Sequence, residues 1–423
     1  MAMDYDFSNK TVVLGVSGGI AAYKSVALAS LLKKQGADVR VIMTKNAVEF
    51  VTPLTFSSIT GNRCITSAFD TDFEWEIGHI SLAKKTDVMV IAPATANIIA
   101  KLAQGIADDM LSTAALAMTC PVIVAPAMNT AMLQNPATKK NLRTLSEYGY
   151  TVTETAKGLL ACGDKGEGRM LEPERICEYI GAAVCRKDLE GKKVLITSGG
   201  TREWLDPVRY ITNCSSGKMG YALARAAVCR GAQVMLISAP TTLETPLFTE
   251  IINVISARDM FGQVKKRYQN FDIIIKAAAV ADFSPDYVAG NKIKKPVESN
   301  STEDAAGQEI SKTDDGFTLN LTHNPDILKW LGQHKSSEQI LVGFCLETEN
   351  LIENAKQKLQ NKNADIIAAN PAGVENSGFG GDNNTITLVT HDKVTKLESM
   401  SKFSAAHKIL DAVCQELSQR LSE

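Results

Sequence analysis

The apolar positions fall into short continuous runs, separated by polar stretches or by segments of helical period. Residues 11–16 (TVVLGV), 37–44 (ADVRVIMT), 87–92, 121–125, 233–238 and 271–279 each read as a strand buried on both faces. Between the first two, residues 20–34 set Val26, Ala29 and Leu32 on one helical face and stop at Gly36. Residues 219–230 form a matching helix that stops at Gly231. The order strand, glycine loop, helix, Gly-Ala, strand thus occurs twice, at 11–44 and 194–238, with no short period continuing it. Two independent α/β units with parallel sheets follow, with ligands expected at the carboxyl ends of their strands. A helix from Pro173 to about 185 precedes the polar segment 186–193 (RKDLEGKK), the best boundary, which divides the chain into 1–188 and 189–423. Strands at 341–344, 365–369 and 385–390, and helices at 350–360 and about 401–421, complete the second unit.

Composition narrows the class. The 423 residues are 45% hydrophobic and 22% charged, ordinary for a soluble protein of two domains. A net charge of −2 without a basic stripe argues against nucleic acid. The first residues lack the pattern of a signal peptide, and the most apolar region is broken by Asn97, Lys101, Asp108 and Asp109, which argues against a membrane span. Nine cysteines without CxxC and five histidines without HxxxH suggest reduced thiols in a cytoplasm and no zinc site.

The candidate chemistry lies at strand ends. Ser17, Gly18 and Gly19 follow the first strand, but the pattern is not GxGxxG, and Thr44 stands where an acidic ribose clamp would end the second. A mononucleotide such as FMN fits this loop better than NAD. Two proline-marked turns, with Ala94, Thr95 and Asn97 in one and Asn129 in the other, leave room for a flat ring with polar edges. His79 precedes a helix at 81–85, and four glycines surround Cys162 in 158–170, which reads as a mobile lid. Residues 194–220 place Arg202, Glu203, Asp206, Arg209 and Asn213 between two small-residue loops, as expected for a phosphorylated substrate beside a nucleotide. Asp282 at a strand end suits Mg²⁺ or a ribose, and the lysines of 292–295 (KIKK) border a mobile polar stretch reaching Gly316.

Together GGIAAYK, GHI, PAMN, ACGDKGEGR, TSGGTREWLDPVRYITNCSSGKMG, AAVADF, KIKK, NPDIL, GFCLET and AANP resemble the fused phosphopantothenoylcysteine decarboxylase / phosphopantothenate–cysteine ligase family of coenzyme A synthesis. The resemblance spans nearly the whole chain. It implies two Rossmann-like parallel-sheet domains, the first of the flavodoxin-like, homo-oligomeric, flavin-containing cysteine decarboxylase fold. In that domain His79 matches the catalytic histidine, Asn129 the residue binding the substrate carboxylate and Cys162 the proton donor of the lid. FMN oxidises the thiol side of the cysteine so that the electrons released with CO₂ have an acceptor. In the second domain Asn213 matches the asparagine at the acyl intermediate, Arg209 its neighbour and Lys292 the mobile lysine over the reaction centre. Nucleotide-binding positions fall at Lys276, Ala277, Ala278, Asp282, Pro325, Asp326, Ile327, Leu328, Phe344, Lys358 and Lys362. Lys276 stands where an uncharged residue is expected. Bacterial fused members use CTP with Mg²⁺ to form an acyl-cytidylate before cysteine attacks, whereas spacing alone does not separate CTP from ATP. The resemblance further implies a cytoplasmic homo-oligomer, a dodecamer, with phosphopantothenate and cysteine as substrates and neither nucleic acid nor membrane as partner. Two rivals are set aside. An NAD(P) oxidoreductase lacks its fingerprint here, and a catalytically dead regulatory subunit is at odds with intact His79, Asn129 and Cys162.

Overall fold

In the computed structural model the first apolar run forms β1 (Thr11–Val16), paired in parallel with β2 (Asp38–Met43) on one side and β3 (Val88–Ala94) on the other. Beyond β3 lie β4 (Val122–Pro126) and the short β5 (Thr151–Val152), also parallel, giving the order β2-β1-β3-β4-β5. The described residues are 5–67, 78–159, 163, 165–294, 312–313, 316–373 and 380–422. Every residue of β3 and β4 is buried, because helices cover both faces of a parallel sheet and leave no polar face to alternate. Val13, Met89, Ile91 and Val124 pack with Ile98, Leu102 and Leu111 in one core. Pro93 and Ala94, expected in a turn, end β3 instead, after a cis Ala92–Pro93 bond. A hairpin of β6 (Ala156–Leu159) and β7 (Lys165–Arg169) follows, then the helix Pro173–Val184.

The chain divides into two compact units, Met3–Arg186 and Lys187–Glu423. In the second, β8 (Lys193–Ser198) is followed by the small hairpin β9 (Arg202–Trp204) and β10 (Tyr210–Thr212) and the helix Lys218–Cys229. Next come β11 (Gln233–Ser238), β12 (Thr249–Asn253), the helix Ala257–Arg267, β13 (Ile273–Lys276) and β14 (Phe283–Pro285). The short strands β15 (Lys312–Thr313) and β16 (Gly316–Phe317) pair with each other, and β17 (Leu321–His323) pairs with β14. The helix Ile327–His334 leads to β18 (Ile340–Glu347), the helix Leu351–Asn361 and β19 (Ile366–Pro371). Last come β20 (Asn383–Asn384), β21 (Thr387–Val389), β22 (Val394–Lys396), β23 (Met400–Ser401) and the helix Lys402–Ser422. The large sheet runs β12-β11-β8-β13-β18-β19-β21-β22, its first six strands parallel and its last two pairings antiparallel. Ranked by appearance, the parallel strands stand in the order 3-2-1-4-5-6 of a nucleotide-binding sheet, whereas the first unit has the flavodoxin-like order 2-1-3-4-5.

Three further sequence expectations change. The strand expected over 271–279 ends at Lys276, because the chain then turns so that Ala279 N–H reaches the Gly199 carbonyl at 2.9 Å. The strand over 341–344 extends to Ile340–Glu347, paired along its length with β13 and β19. The described part of the glycine segment at 158–170 is hairpin rather than loop. A side-chain carbon at Gly168 would lie 2.2 Å from the Met128 carbonyl oxygen, and one at Gly166 2.4 Å from Thr130 Oγ1. Those glycines permit close packing on the loop after β4.

Candidate functional sites

In an open parallel sheet, the crevice lies where successive connections leave in opposite directions. In the first unit that point is between β1 and β3. Ser17, at the end of β1, donates its hydroxyl to the Pro93 carbonyl at 2.7 Å and accepts the Thr95 N–H at 3.0 Å. This joins the two loops that flank the crevice. Gly18 is required by contact, since a side-chain carbon there would lie 2.4 Å from Asn46 Cβ. Thr44 caps the short helix Lys45–Val48, and Thr95 is the N-cap of the helix Ala96–Gln104, so backbone N–H groups gather around the opening. A cavity of about 470 Å³ lies here, lined by Ser17, Gly18, Thr44, Thr95 and Asn97. Gly19 borders it through Thr95, and Ala94 is fully buried, so only its backbone can serve a ligand. Asn46, Lys101 and Asp109 also line the cavity. Sequence reading passed them over, although Asn46 follows the end of β2 and the rule of carboxyl ends points to it. Lys101 is paired with Asp109 at 2.8 Å and Asp108 at 2.6 Å.

Asn129 is the N-cap of the helix Thr130–Gln134, its Oδ1 accepting the Ala131 N–H at 2.8 Å. That loop is tied to β7: Met128 N–H bonds the Gly168 carbonyl at 2.9 Å, and Thr130 Oγ1 bonds the Glu167 carbonyl at 2.7 Å. Beyond β7, the buried Lys24 ammonium donates to the Met170 carbonyl at 3.0 Å and to Glu172 at 2.7 Å. His79 belongs to the helix Gly78–Lys85, with its side chain outside the described residues, and Cys162 lies outside them altogether.

In the second unit the switch point lies between β8 and β13. Thr197 and Thr201 hydroxyls accept the N–H groups of Ala278 and Ala281, binding the two strand ends together. Asn213 Nδ2 donates to the Ala279 and Val280 carbonyls at 3.2 and 3.4 Å, so the amide stands over this join. Asp206 is wholly buried. Its carboxylate accepts from the N–H groups of Val208 and Arg209, each at 2.8 Å, from Ile293 N–H at 3.2 Å and from Arg209 Nε at 2.9 Å and Nη2 at 2.6 Å. Burial acts to raise this carboxyl, but the guanidinium and the three N–H groups outweigh it and hold it well below the usual carboxylate range. Arg209 also donates to the Ile293 carbonyl at 2.8 Å, so the backbone beside the exposed Lys292 is gripped at both its N–H and its C=O. Arg209 is therefore an anchor of the 292–294 segment as well as a ligand candidate.

The other expected positions lie between β13 and the end of the helix that follows β18. Asp326 caps the helix Ile327–His334 and pairs with Lys362 at 2.5 Å, while Ile327 and Leu328 direct their side chains into the core and leave only backbone for a ligand. Asn324 Nδ2 bonds the Ala281 carbonyl at 3.0 Å and its N–H the Asp282 carbonyl at 2.9 Å. Its Oδ1 is buried without a hydrogen-bond partner among the described residues. Asp282 is exposed, Pro325, Ala277 and Phe344 are half-buried, and Lys358 projects from the helix Leu351–Asn361. Lys276 ends β13 within reach of these charges: burial and Lys358 and Lys362 push its ammonium down to about 8, against Asp326 and Asp282.

Comparison with known proteins matches both units. A family described as "Flavoprotein" matches residues 2–185, and the "DNA/pantothenate metabolism flavoprotein C-terminal domain" matches 189–303 and 297–417. The coenzyme A biosynthesis bifunctional protein CoaBC of Bacillus subtilis (strain 168) is 47% identical over 411 residues, 96% of this chain and 97% of that one. A crystal structure of the C-terminal domain of a CoaBC protein is 39% identical, covers 55% of this chain and 99% of its own, and has a TM-score of 0.44. A cysteine-to-serine PPC decarboxylase complexed with pantothenoylaminoethenethiol is 34% identical, covers 40% of this chain and 96% of its own, and has a TM-score of 0.37. With nearly full-length identity and both domain families present in order, the chain belongs to the coenzyme A biosynthesis bifunctional proteins, enzymes with a flavoprotein decarboxylase half and a ligase half.

Proposed function

We propose that residues 189–423 couple phosphopantothenate to cysteine through an acyl-cytidylate formed from CTP, and that residues 1–188 decarboxylate the product to phosphopantetheine with FMN. The observation that carries this reading is a cavity at the first sheet's switch point and, at the second's, strand ends joined through Thr197, Thr201 and Asn213, within the two matched families. In the first, Ser17, Gly18, Gly19, Thr44 and Thr95 fit a flavin mononucleotide, because the contact at Gly18 brings backbone to the mouth of a cavity of suitable size. FMN, when bound, supplies the hydride acceptor and donor that lets a cysteine lose CO₂. Asn129 donates its amide to the substrate carboxylate, its orientation set by the bond to Ala131. His79 acts in the oxidative step, and Cys162 returns the proton, a positioned donor worth roughly 10²–10⁴ in rate.

In the second crevice Asn213 and Lys292 hold the developing acyl-cytidylate, and Arg209 with Asp206 sets the backbone from which Lys292 reaches. Ala277, Ala278, Pro325, Asp326, Phe344, Lys358 and Lys362 border the nucleotide, and Asp282 contacts its ribose. The described residues contain no group of three or more His, Cys, Asp or Glu that could hold a metal. They do not form a Mg²⁺ cage, and Mg²⁺ enters with the nucleotide phosphates as part of the substrate. No helix among the described residues is long and apolar enough to cross a membrane. By the family resemblance we place the enzyme in the cytoplasm as a homo-oligomer, a dodecamer. Two assays test the reading. Cys162→Ser is expected to release CO₂ but accumulate the oxidised enethiol, and full net turnover would remove Cys162 from the mechanism. Pyrophosphate release should require CTP, and strict use of ATP would sink the acyl-cytidylate.

A further inference from the structure

The two carboxylate oxygens of Asp206 serve different parts of the chain. Oδ1 accepts the N–H groups of Val208 and Arg209, each at 2.8 Å, and so closes a local turn. Oδ2 accepts Ile293 N–H at 3.2 Å and Arg209 Nε and Nη2 at 2.9 and 2.6 Å. The turn by itself needs one side-chain acceptor, which asparagine or serine supplies without burying a charge. The second oxygen, facing three donors at once, is what explains an aspartate with no exposed surface. The Arg209 guanidinium is divided in the same way. Its Nε and Nη2 edge is engaged by Asp206 and by the Ile293 carbonyl, the latter at 2.8 Å. Its Nη1 has no partner among the described residues.

We infer that Asp206 is a positioning residue for the ligase reaction. Through Oδ2 it fixes the backbone at Ile293, next to Lys292, and it holds Arg209 so that only the Nη1 edge is left for a substrate anion. This rests on the ligase reading above, in which Lys292 serves the reaction centre, and deepens it by assigning what places that lysine. Lys292 is exposed and its flexible stem does not fix its ammonium, so the anchored backbone beside it limits where the charge can go. A misplacement of about 1 Å at such a group costs roughly a hundredfold in rate. Asp206 itself, wholly buried, acts through its two neighbours and not on substrate.

The test uses the full chain and pyrophosphate release at saturating phosphopantothenate and CTP. Asp206→Asn keeps one oxygen for the Val208 and Arg209 N–H groups but turns an amide N–H toward the other three donors, so it opens the clamp and spares the turn. It should lower kcat roughly 10- to 100-fold, with decarboxylation of supplied phosphopantothenoylcysteine unchanged. Lys292→Gln completes a double-mutant cycle. The double variant should match Lys292→Gln within about twofold, whereas unrelated structural defects multiply. Hydrogen exchange followed by mass spectrometry reads the clamp apart from turnover. The peptide holding Ile293 should exchange roughly tenfold faster in Asp206→Asn, with Val208 and Arg209 protected as in the parent. Arg209→Lys, which keeps the charge and the turn but cannot span Asp206 and Ile293, replaces Asp206→Asn in the cycle if that variant does not fold. Losses that multiply in the double variant, or an Ile293 peptide that exchanges as in the parent, would overturn the inference and leave the ligase reading intact. Parental turnover in Lys292→Gln would remove both the inference and the role given to Lys292. A parent chain that releases no pyrophosphate from phosphopantothenate with CTP or ATP would sink the ligase reading as well.

Discussion

Gly18→Ala isolates the contact on which the crevice of the first unit, our proposed FMN site, is built. The added carbon would sit 2.4 Å from Asn46 Cβ, 2.8 Å from its carbonyl carbon and 3.0 Å from its carbonyl oxygen. Carbon atoms rest at about 3.5–4.0 Å, so the loop and Asn46 must part by about 1 Å. Cβ and backbone atoms cannot swing aside as a side-chain tip can, and overpacking of this kind costs about 1–3 kcal/mol. If the strain is relieved by opening the loop, FMN affinity falls roughly 5- to 150-fold. The apoprotein should also lose roughly 2–10 °C in melting temperature. Gly19→Ala is the control, because its new carbon meets only Thr95 Cγ2, at 3.4 Å. It should leave the apoprotein's melting temperature unchanged, so that any loss of FMN there reports crowding of the ligand itself. Flavin-fluorescence titration and thermal melts of both variants decide the matter. Gly18→Ala that melts like the parent and binds FMN within twofold would refute the argument.

Other expectations follow from the same contacts. Asn213→Ala removes the amide over the Ala279 and Val280 carbonyls and should cut pyrophosphate release by roughly tenfold or more, with decarboxylation of supplied phosphopantothenoylcysteine unchanged. Lys24→Met leaves the Met170 carbonyl without its buried donor, at about 1–3 kcal/mol. Decarboxylase turnover should fall while ligase turnover holds. Asp206 has a depressed folded value, so its stabilising effect is fully present above the unfolded value near ~4 and is lost only as pH drops below it. The difference in melting temperature between the parent and Asp206→Asn should therefore be constant from pH 7 to 5 and narrow only below about pH 4. Cys214 is exposed beside Asn213, while burial pushes Cys64 up to about 12 and Cys345 up to about 11. Iodoacetamide should label Cys214 before Cys64 and Cys345, more slowly with nucleotide present, and reach those two only on unfolding, as read by mass spectrometry.

The strands that could be read from the chain are those in which burial on both faces leaves an unbroken apolar run, such as β1, β4 and β8. The half-exposed edge strand β12 (TEIIN) has no such run and was missed. Strand order was equally hidden. Both units open with the same strand–glycine–helix pattern, yet the third strand joins opposite sides of the sheet in a way set by distant packing. Among site residues, those at strand ends could be located, because carboxyl-edge geometry follows directly from the βαβ order. From the sequence alone, Asp206 is one polar residue in a loop. Its importance comes from Ile293, 87 positions away in the chain, a pairing that no local pattern reports. Gly166 and Gly168 were read as flexibility because their partners, Thr130 and Met128, are likewise remote in sequence.

Housing both crevices on one polypeptide fixes their ratio at one to one. A cell cannot raise the supply of one catalyst without the other, so flux through the pair is governed by whichever half turns over more slowly. Adjustment must then come from substitutions inside that half, which gives single side chains at a crevice wall a leverage over the whole sequence that gene dosage would otherwise hold.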